Sequence, residues 1–72
     1  MKIKNKIKIT VNGKQMLVIP KISLKSLIAK LKIPINKIAI ELNKEIIDKT
    51  RINRIQLQNG DKIEIVHFIG GG

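Results

Sequence analysis

The N-terminal segment alternates apolar and polar residues with a period of two, which predicts a half-buried strand. The apolar residues that share one face of this strand are Ile3, Ile7, Ile9 and Val11. Asn12-Gly13 follows and favours a type I′ turn, because both central positions of that turn need a positive φ. The segment KQMLVIP then predicts a returning strand that ends at Pro20, since proline has no N–H to donate to a ladder. The chain therefore begins with a predicted β-hairpin.

A helical pattern follows the hairpin. Its large apolar residues have the i, i+3, i+4, i+7 spacing of one helix face and are Leu24, Leu27, Ile28 and Leu31. Ser23 is a good N-cap, and Ile22 before it can pack against Leu27 as a hydrophobic staple. Pro34 ends the pattern, so the sequence predicts one clear helix.

The second half of the chain predicts three more strands. KIAIELN alternates, Asn43-Lys44 turns into a short strand at Glu45 to Ile47, and KIEIVHF follows a turn at Asn59-Gly60-Asp61. The residues expected to point inward from these strands are Ile38, Ile40, Leu42, Ile63 and Ile65. Between them, KTRINRIQL is irregular with one expected turn of 3₁₀ helix, and Ile52, Ile55 or Leu57 would close the open end of the core.

The order of these elements predicts a two-layer α+β domain in which one main helix packs on a mixed sheet of four to five strands. A right-handed crossover through the helix would place the final strand beside the first, in the middle of the sheet. This is the β-grasp, ubiquitin-like arrangement. We expect the domain to cover residues 1–69 and a flexible glycine tail to cover residues 70–72.

The chain is strongly basic, with a formal net charge of +10 and a pI near 10.3, which suits an anionic partner. Half of the residues are Ile, Lys or Asn, so an A/T-rich genome also accounts for many lysines. Single-strand binders stack bases on aromatic rings, whereas this chain has one Phe and no Tyr or Trp. We expect no nucleic-acid partner, although a small basic nucleic-acid-binding domain stays a distant alternative.

One face of the first predicted strand carries Lys2, Lys4, Lys6 and Lys8. It is either a solvated face that resists edge pairing or a surface that steers the chain toward acidic enzymes.

The chain contains no Cys and a single histidine, His67. Disulfides, thiolate metal sites and a cysteine nucleophile are therefore excluded, and we expect no metal site and no catalytic residue. No apolar run approaches the ~20 residues of a membrane span, and the first residues do not resemble a signal peptide. We expect a soluble chain without a membrane partner.

The whole length of the chain resembles the ubiquitin-like sulfur carriers, and among them those of thiamine biosynthesis. The segments that carry the resemblance are VNGK, SLKSLIAKL, IAIELNKEII, NGDKIEIVHF and IGGG. The resemblance implies a protein co-substrate, not an enzyme, that is a monomer when free and lies in the bacterial cytoplasm or the plastid stroma. Two alternatives share the fold and the Gly-Gly end: the small subunit of molybdopterin synthase and a ubiquitin-like modifier.

The resemblance also implies where the chemistry takes place. An E1-like adenylyltransferase that uses ATP would adenylate the α-carboxylate of Gly72, and a sulfur-donating protein would supply the sulfur of a thiocarboxylate. Thiazole synthase would receive that sulfur, and this chain would bind no cofactor itself. The residues expected to thread into the partner site are Gly70 and Gly71, and those expected to dock are Val66, His67, Phe68 and Ile69. Read alone, the three glycines could also be a frayed end or a cloning scar.

Overall fold

Five strands form one mixed sheet in the computed structural model, which describes residues 5–68. The strands are β1 (Ile7–Val11), β2 (Lys14–Val18), β3 (Ile38–Leu42), β4 (Glu45–Ile46) and β5 (Lys62–His67). The helix α1 covers Leu24–Lys30, and 3₁₀ helices cover Ile35–Lys37 and Lys49–Arg54. The predicted α+β architecture, with one main helix on a mixed sheet, is confirmed.

The strand order is β2-β1-β5-β3-β4, so the last strand lies in the middle of the sheet. β5 pairs with β1 in parallel and with β3 antiparallel. Parallel neighbours need a crossover connection, and α1 lies in the segment that joins the first hairpin to the second half of the sheet. The predicted central position of β5 beside β1 is therefore confirmed.

The core lies between the sheet and α1 and is built from aliphatic side chains. Its buried residues are Ile9, Val18, Ile22, Leu24, Leu27, Ile28, Ile38, Ile40, Ile52, Leu57, Ile63 and Ile65. Ile52 and Leu57 close its open end, whereas Ile55 is only half-buried. The backbone around Leu57 also binds the start of the helix, since the Leu57 N–H donates to the Ile22 carbonyl at 2.8 Å.

Each end of the helix has a capping motif. The Ser23 hydroxyl accepts a bond from the Ser26 N–H at 3.0 Å, as expected for an N-cap. At the other end Lys32 adopts a positive φ of 59° and the Ile33 N–H donates to the Ile28 carbonyl, which is a Schellman motif without glycine. Leu31, predicted as part of the helix, is its C-cap.

Two strands are shorter than the sequence pattern predicts. β1 begins at Ile7 instead of Ile3, because its partner β2 ends at Val18, just before Pro20, and the ladder has no partner further on. Residues 1–4 lie outside the described part of the chain. β4 covers only Glu45–Ile46 and leaves out Ile47, although the N–H of Ile47 still donates to the Ile40 carbonyl at 2.9 Å.

The expected boundary between residues 69 and 70 also lies outside the described residues. Within residues 5–68, no helix has both the length and the apolar character needed to cross a membrane.

Candidate functional site

The candidate site is the C-terminal end of the central strand. Val66 and His67 are the last two residues of β5, and Phe68 follows directly. Val66 is 57% exposed and Phe68 is 51% exposed, so two apolar side chains face solvent where the chain leaves the sheet. His67 is exposed as well. The structure therefore brings together three of the four residues predicted to dock, and their docking role stays a prediction.

The fourth predicted docking residue, Ile69, and the predicted tail residues Gly70, Gly71 and Gly72 lie outside the described part of the chain. The described part of the candidate site therefore consists of β5 and the side chains that bind to it near its end.

The side chain of Asn12 holds β5 on its β1 side. Asn12 occupies the hairpin turn with a φ of 51°, and its own N–H donates to the Ile63 carbonyl at 2.9 Å. Its Oδ1 accepts from the Ile65 N–H at 2.7 Å, and its Nδ2 donates to the Ile65 carbonyl at 3.3 Å. A single amide side chain thus satisfies both backbone groups of Ile65, as another strand residue would, and extends the support of β5 beyond the end of β1.

The side chain of Asn43 holds β5 on its β3 side. Asn43 has a φ of 51° in the second hairpin turn, and its Oδ1 accepts from the Lys62 N–H at 2.9 Å. Its Nδ2 donates to Asp61 Oδ1 at 3.0 Å, and Asp61 Oδ2 accepts from the Gln58 N–H at 2.8 Å. Both asparagines were predicted only as turn residues. Their side chains also bond to the backbone of β5, the strand that leads to the candidate site.

Lys49, the first residue of the second 3₁₀ helix, holds the segment around Phe68. Its Nζ donates to the Ile38 carbonyl at 2.8 Å and to the Ile35 carbonyl at 3.1 Å. The same Nζ lies 5.7 Å from the centroid of the Phe68 ring, within the range of a cation–π interaction. The Phe68 N–H donates to the Lys37 carbonyl at 2.8 Å, so both the backbone and the ring of Phe68 are engaged.

This role of Lys49 could not be predicted from the sequence, because the lysine lies in an irregular segment and its partners are backbone carbonyls. We define Lys49 and Phe68, with the carbonyls of Ile35 and Ile38, as the exit clamp.

Replacing Lys49 with Met should loosen the exit clamp while keeping the length of the side chain. We expect a loss of about 1–3 kcal/mol of stability, because the bond to the Ile38 carbonyl is part-buried and an unsatisfied buried group costs roughly that much. The Phe68 amide should exchange with solvent several-fold faster, which NMR hydrogen exchange would measure. Lys49→Arg is the control, because it keeps the charge; equal exchange rates in the Met variant and the unchanged chain would contradict the clamp.

Asp48 caps the 3₁₀ helix that begins with Lys49. Its Oδ1 accepts from the Thr50 N–H at 2.9 Å and from the Thr50 hydroxyl at 2.8 Å. These bonds, the backbone one first, hold the pKa of the Asp48 carboxyl below its usual value near 3.8. A carboxyl with a lowered pKa in the folded state stabilises the fold above its unfolded pKa, and that contribution is lost as the pH falls through the folded pKa.

The Asp48→Ala variant should therefore melt below the unchanged chain at pH 7, and this difference should shrink as the pH is lowered below about 4. Melting curves of both chains across that range would measure it. A difference that stays constant down to strongly acidic pH would show that the charge of Asp48 does not act through the cap.

The outer face of the sheet beside Val66 carries both apolar and acidic side chains. Val66 lies opposite Ala39 on β3, and Glu64 lies opposite Glu41, which is itself paired with Ile46 on β4. Like charges placed directly opposite each other destabilise a sheet by a few tenths of a kcal/mol, so this pair does not serve the stability of the free fold. Lys8 on β1 and Lys6 before it are exposed as well, whereas Lys2 and Lys4 lie outside the described residues.

Within the described part of the chain, no group of three or more His, Cys, Asp or Glu side chains is arranged to hold a metal ion.

Comparison with known proteins identifies the family. The ThiS family model matches residues 9–72. Over 38 residues, covering 51% of this chain, the sequence is 60% identical to the sulfur carrier protein ThiS of Bacillus subtilis. Over 65 residues, covering 90% of this chain, it is 35% identical to a thiazole synthase of Paramagnetospirillum magneticum. The matched segments span 58% of the first relative and 20% of the second.

A solved structure shows the same architecture. The crystal structure of the thiamine biosynthesis protein ThiS from Geobacter metallireducens superposes with a TM-score of 0.81 at 29% sequence identity, over 92% of this chain and 100% of the other. This likeness confirms the predicted β-grasp fold. The chain belongs to the ThiS family.

Proposed function

We propose that the chain is the sulfur carrier of thiazole synthesis in thiamine biosynthesis. The observation that carries this proposal is the family match, which covers residues 9–72 and so includes the three glycines at its end. The relative from Bacillus subtilis, a sulfur carrier protein by name, supports the same function. In this function the chain is a co-substrate, and other proteins catalyse every step.

The reactive group in this proposal is the α-carboxylate of Gly72. A carboxylate is a poor electrophile, so it first attacks the α-phosphorus of ATP in an E1-like adenylyltransferase, and pyrophosphate leaves. The outer sulfur of a persulfide on a donor protein then attacks the acyl carbon and expels AMP, which leaves an acyl disulfide between Gly72 and the donor. A further thiol of a partner protein attacks the donor's sulfur in that disulfide, forms a new disulfide with it, and so releases the thiocarboxylate on Gly72. The carrier binds no ATP itself, because the adenylating partner holds it.

Thiazole synthase is the proposed acceptor of the sulfur. A segment similar to 90% of this chain makes up 20% of a protein named thiazole synthase in Paramagnetospirillum magneticum. Two functions joined in one polypeptide work at a high effective concentration, which favours pairs that act on each other. This relationship supports an acceptor in the thiazole pathway over one in molybdopterin synthesis.

The fold suits a carrier in which a rigid body docks and a narrow end enters the partner. β5 is braced on both sides, and Asn12 satisfies the backbone of Ile65 just before the docking residues. Val66 and Phe68 offer exposed apolar surface at the end of β5. In the proposal Gly70 and Gly71 enter the partner, since they have no Cβ atoms and three extended residues reach about 10 Å.

Deleting the gene of this chain in its host tests the pathway. The deleted strain should need added thiazole or thiamine for growth, while its molybdenum enzymes keep their activity. The unchanged gene should restore growth, and a gene for the chain without Gly71 and Gly72 should not. A strain that loses its molybdenum enzymes and still grows without thiazole would assign the chain to the molybdopterin pathway instead.

A further inference from the structure

The positive charge of the chain is concentrated in its first forty residues. Residues 1–40 hold ten lysines and no Asp or Glu, whereas residues 41–72 hold five basic and five acidic side chains. The first set includes β1, β2 and α1, and the second set includes β4 and β5. β1 and β2 are neighbours at one edge of the sheet, and the hairpin that they form carries lysines and no carboxylate.

The outer strand of this hairpin has an open and apolar edge. Among residues 5–68, β2 has a neighbouring strand on one side only. Leu17 and Ile19 are each 59% exposed, and between Lys14 and Pro20 the segment QMLVI contains no charge. Natural proteins protect such edges with charges, with proline or by keeping the edge strand short. The opposite edge follows that rule, because β4 has only two residues.

The register of the hairpin shows which backbone groups of β2 face outward. Val11 and Lys14 flank the two-residue turn, and flanking residues of such a turn form a hydrogen-bonded pair. Hydrogen-bonded and non-hydrogen-bonded pairs alternate along an antiparallel ladder, so Met16 also directs its N–H and carbonyl at β1. Gln15 and Leu17 direct theirs away from the sheet. A further strand could therefore bind both groups of each of these two residues.

A cavity lies on each side of this edge. One has a volume of about 440 Å³ and is lined by Val11, Asn12, Lys14, Gln15, Met16 and Leu31. The other has a volume of about 340 Å³ and is lined by Lys8, Gln15, Met16 and Leu17. Each cavity combines apolar surface with one lysine, and no carboxylate lines either of them.

We propose that the edge of β2 accepts an extended segment of a partner protein as an additional strand, and that this segment alternates apolar and acidic residues. Alternate side chains of an added strand point to opposite faces of the sheet, where the two cavities lie. The apolar residues of that segment would face the cavity beside Val11 and Leu31, and its acidic residues would face the cavity beside Lys8, which selects for carboxylates. A second copy of the chain fits poorly, because it would bring two edges of net positive charge together.

This interface is separate from the end of β5, so it goes beyond the proposed carrier function. β1 lies between β2 and β5 in the sheet, which leaves the candidate docking residues free while the β2 edge is occupied. A partner protein could in this way hold the carrier body through one surface and process its end through another.

The test is a titration of the full ¹⁵N-labelled chain with a capped synthetic peptide of about eight residues that alternates isoleucine and glutamate, a length that covers one edge strand. We expect saturable shifts at the amides of Gln15 and Leu17, with slower hydrogen exchange at these two positions. A peptide with lysine in place of glutamate should bind at least roughly tenfold more weakly at low salt. A peptide with proline at its centre should also bind more weakly, because it lacks a donor for the ladder.

Two variants show which edge of the sheet binds the peptide. Leu17→Lys should weaken binding at least roughly tenfold, since an edge lysine blocks strand addition. Ile46→Lys on β4 is the matched control at the other edge and should bind as the unchanged chain does. No saturable shift at Gln15 and Leu17, or equal loss in both variants, would overturn the proposal. Binding to phosphatidylserine vesicles or to an oligonucleotide without binding to the peptide would overturn it as well.

Discussion

Removing Gly71 and Gly72 should abolish sulfur loading and leave the melting temperature of the chain unchanged. The truncated end would fall short of the partner's reactive site by about 7 Å, because each extended residue spans at most ~3.3–3.6 Å. Ile65 is the last buried residue among residues 5–68, and glycine has no side chain to bury, so we expect the loss of two glycines to leave the core unchanged. Adenylation is measured by ATP–pyrophosphate exchange with the partner adenylyltransferase, and the melting temperature by circular dichroism.

A variant of the same length shows whether the length of the glycine tail or its lack of side chains matters for adenylation. With Gly71 and Gly72 both replaced by alanine, the carboxylate stays at the same distance along the chain, but two methyl groups narrow its approach. We expect adenylation to fall roughly a hundredfold, the size of effect that a displacement of about 1 Å can produce. If the truncated chain supported ATP–pyrophosphate exchange at the rate of the unchanged chain, the proposed role of Gly72 would be contradicted.

Replacing Asn12 with glycine should destabilise the fold by about 2–4 kcal/mol. Glycine keeps the positive φ of the turn, so the loss comes from the two hydrogen bonds to Ile65. The backbone groups of Ile65 lie in a part-buried place, and an unsatisfied buried group costs about 1–3 kcal/mol. In a domain of this size the melting temperature should drop by roughly 4–8 °C for each kcal/mol, as calorimetry would measure.

Asn43→Gly is the matched control for this substitution. Asn43 has the same φ of 51°, but its side-chain bonds to Lys62 and Asp61 are exposed, so water can replace them. We expect it to cost about 1 kcal/mol or less. Asn12→Asp separates the two bonds of Asn12, because a carboxylate still accepts from the Ile65 N–H and cannot donate to its carbonyl. Equal losses in the two glycine variants would show that turn geometry, and not the support of β5, determines the effect.

The fold could be predicted from the sequence because its signals are local and agree with one another. Leu24, Leu27 and Ile28 define the buried face of α1 by spacing alone, and Asn12-Gly13 fixes the register of the first hairpin. The central position of β5 follows from the general rules for connections between strands.

The support of the candidate site could not be predicted, because its interactions are distant in sequence. Asn12 and Ile65 are 53 positions apart, and Lys49 binds the carbonyls of Ile35 and Ile38, which any residue type would offer. No local pattern marks a side chain that bonds to distant backbone. Val66 and Phe68 do follow from a local pattern, because they alternate with the inward-pointing Ile63 and Ile65, and both are exposed.

In the proposed function, the carboxyl end of Gly72 carries the sulfur. The chain should be purified from its own host and treated at once with an electrophile that traps thiocarboxylates, and the adduct should be mapped by peptide mass spectrometry. Intact mass is not sufficient, because replacing oxygen by sulfur adds nearly the same mass as oxidation of Met1 or Met16. We predict an adduct on Gly72 that becomes more abundant when the host is starved of thiamine. A host-purified chain that carries no adduct on Gly72 during starvation would contradict this role of Gly72.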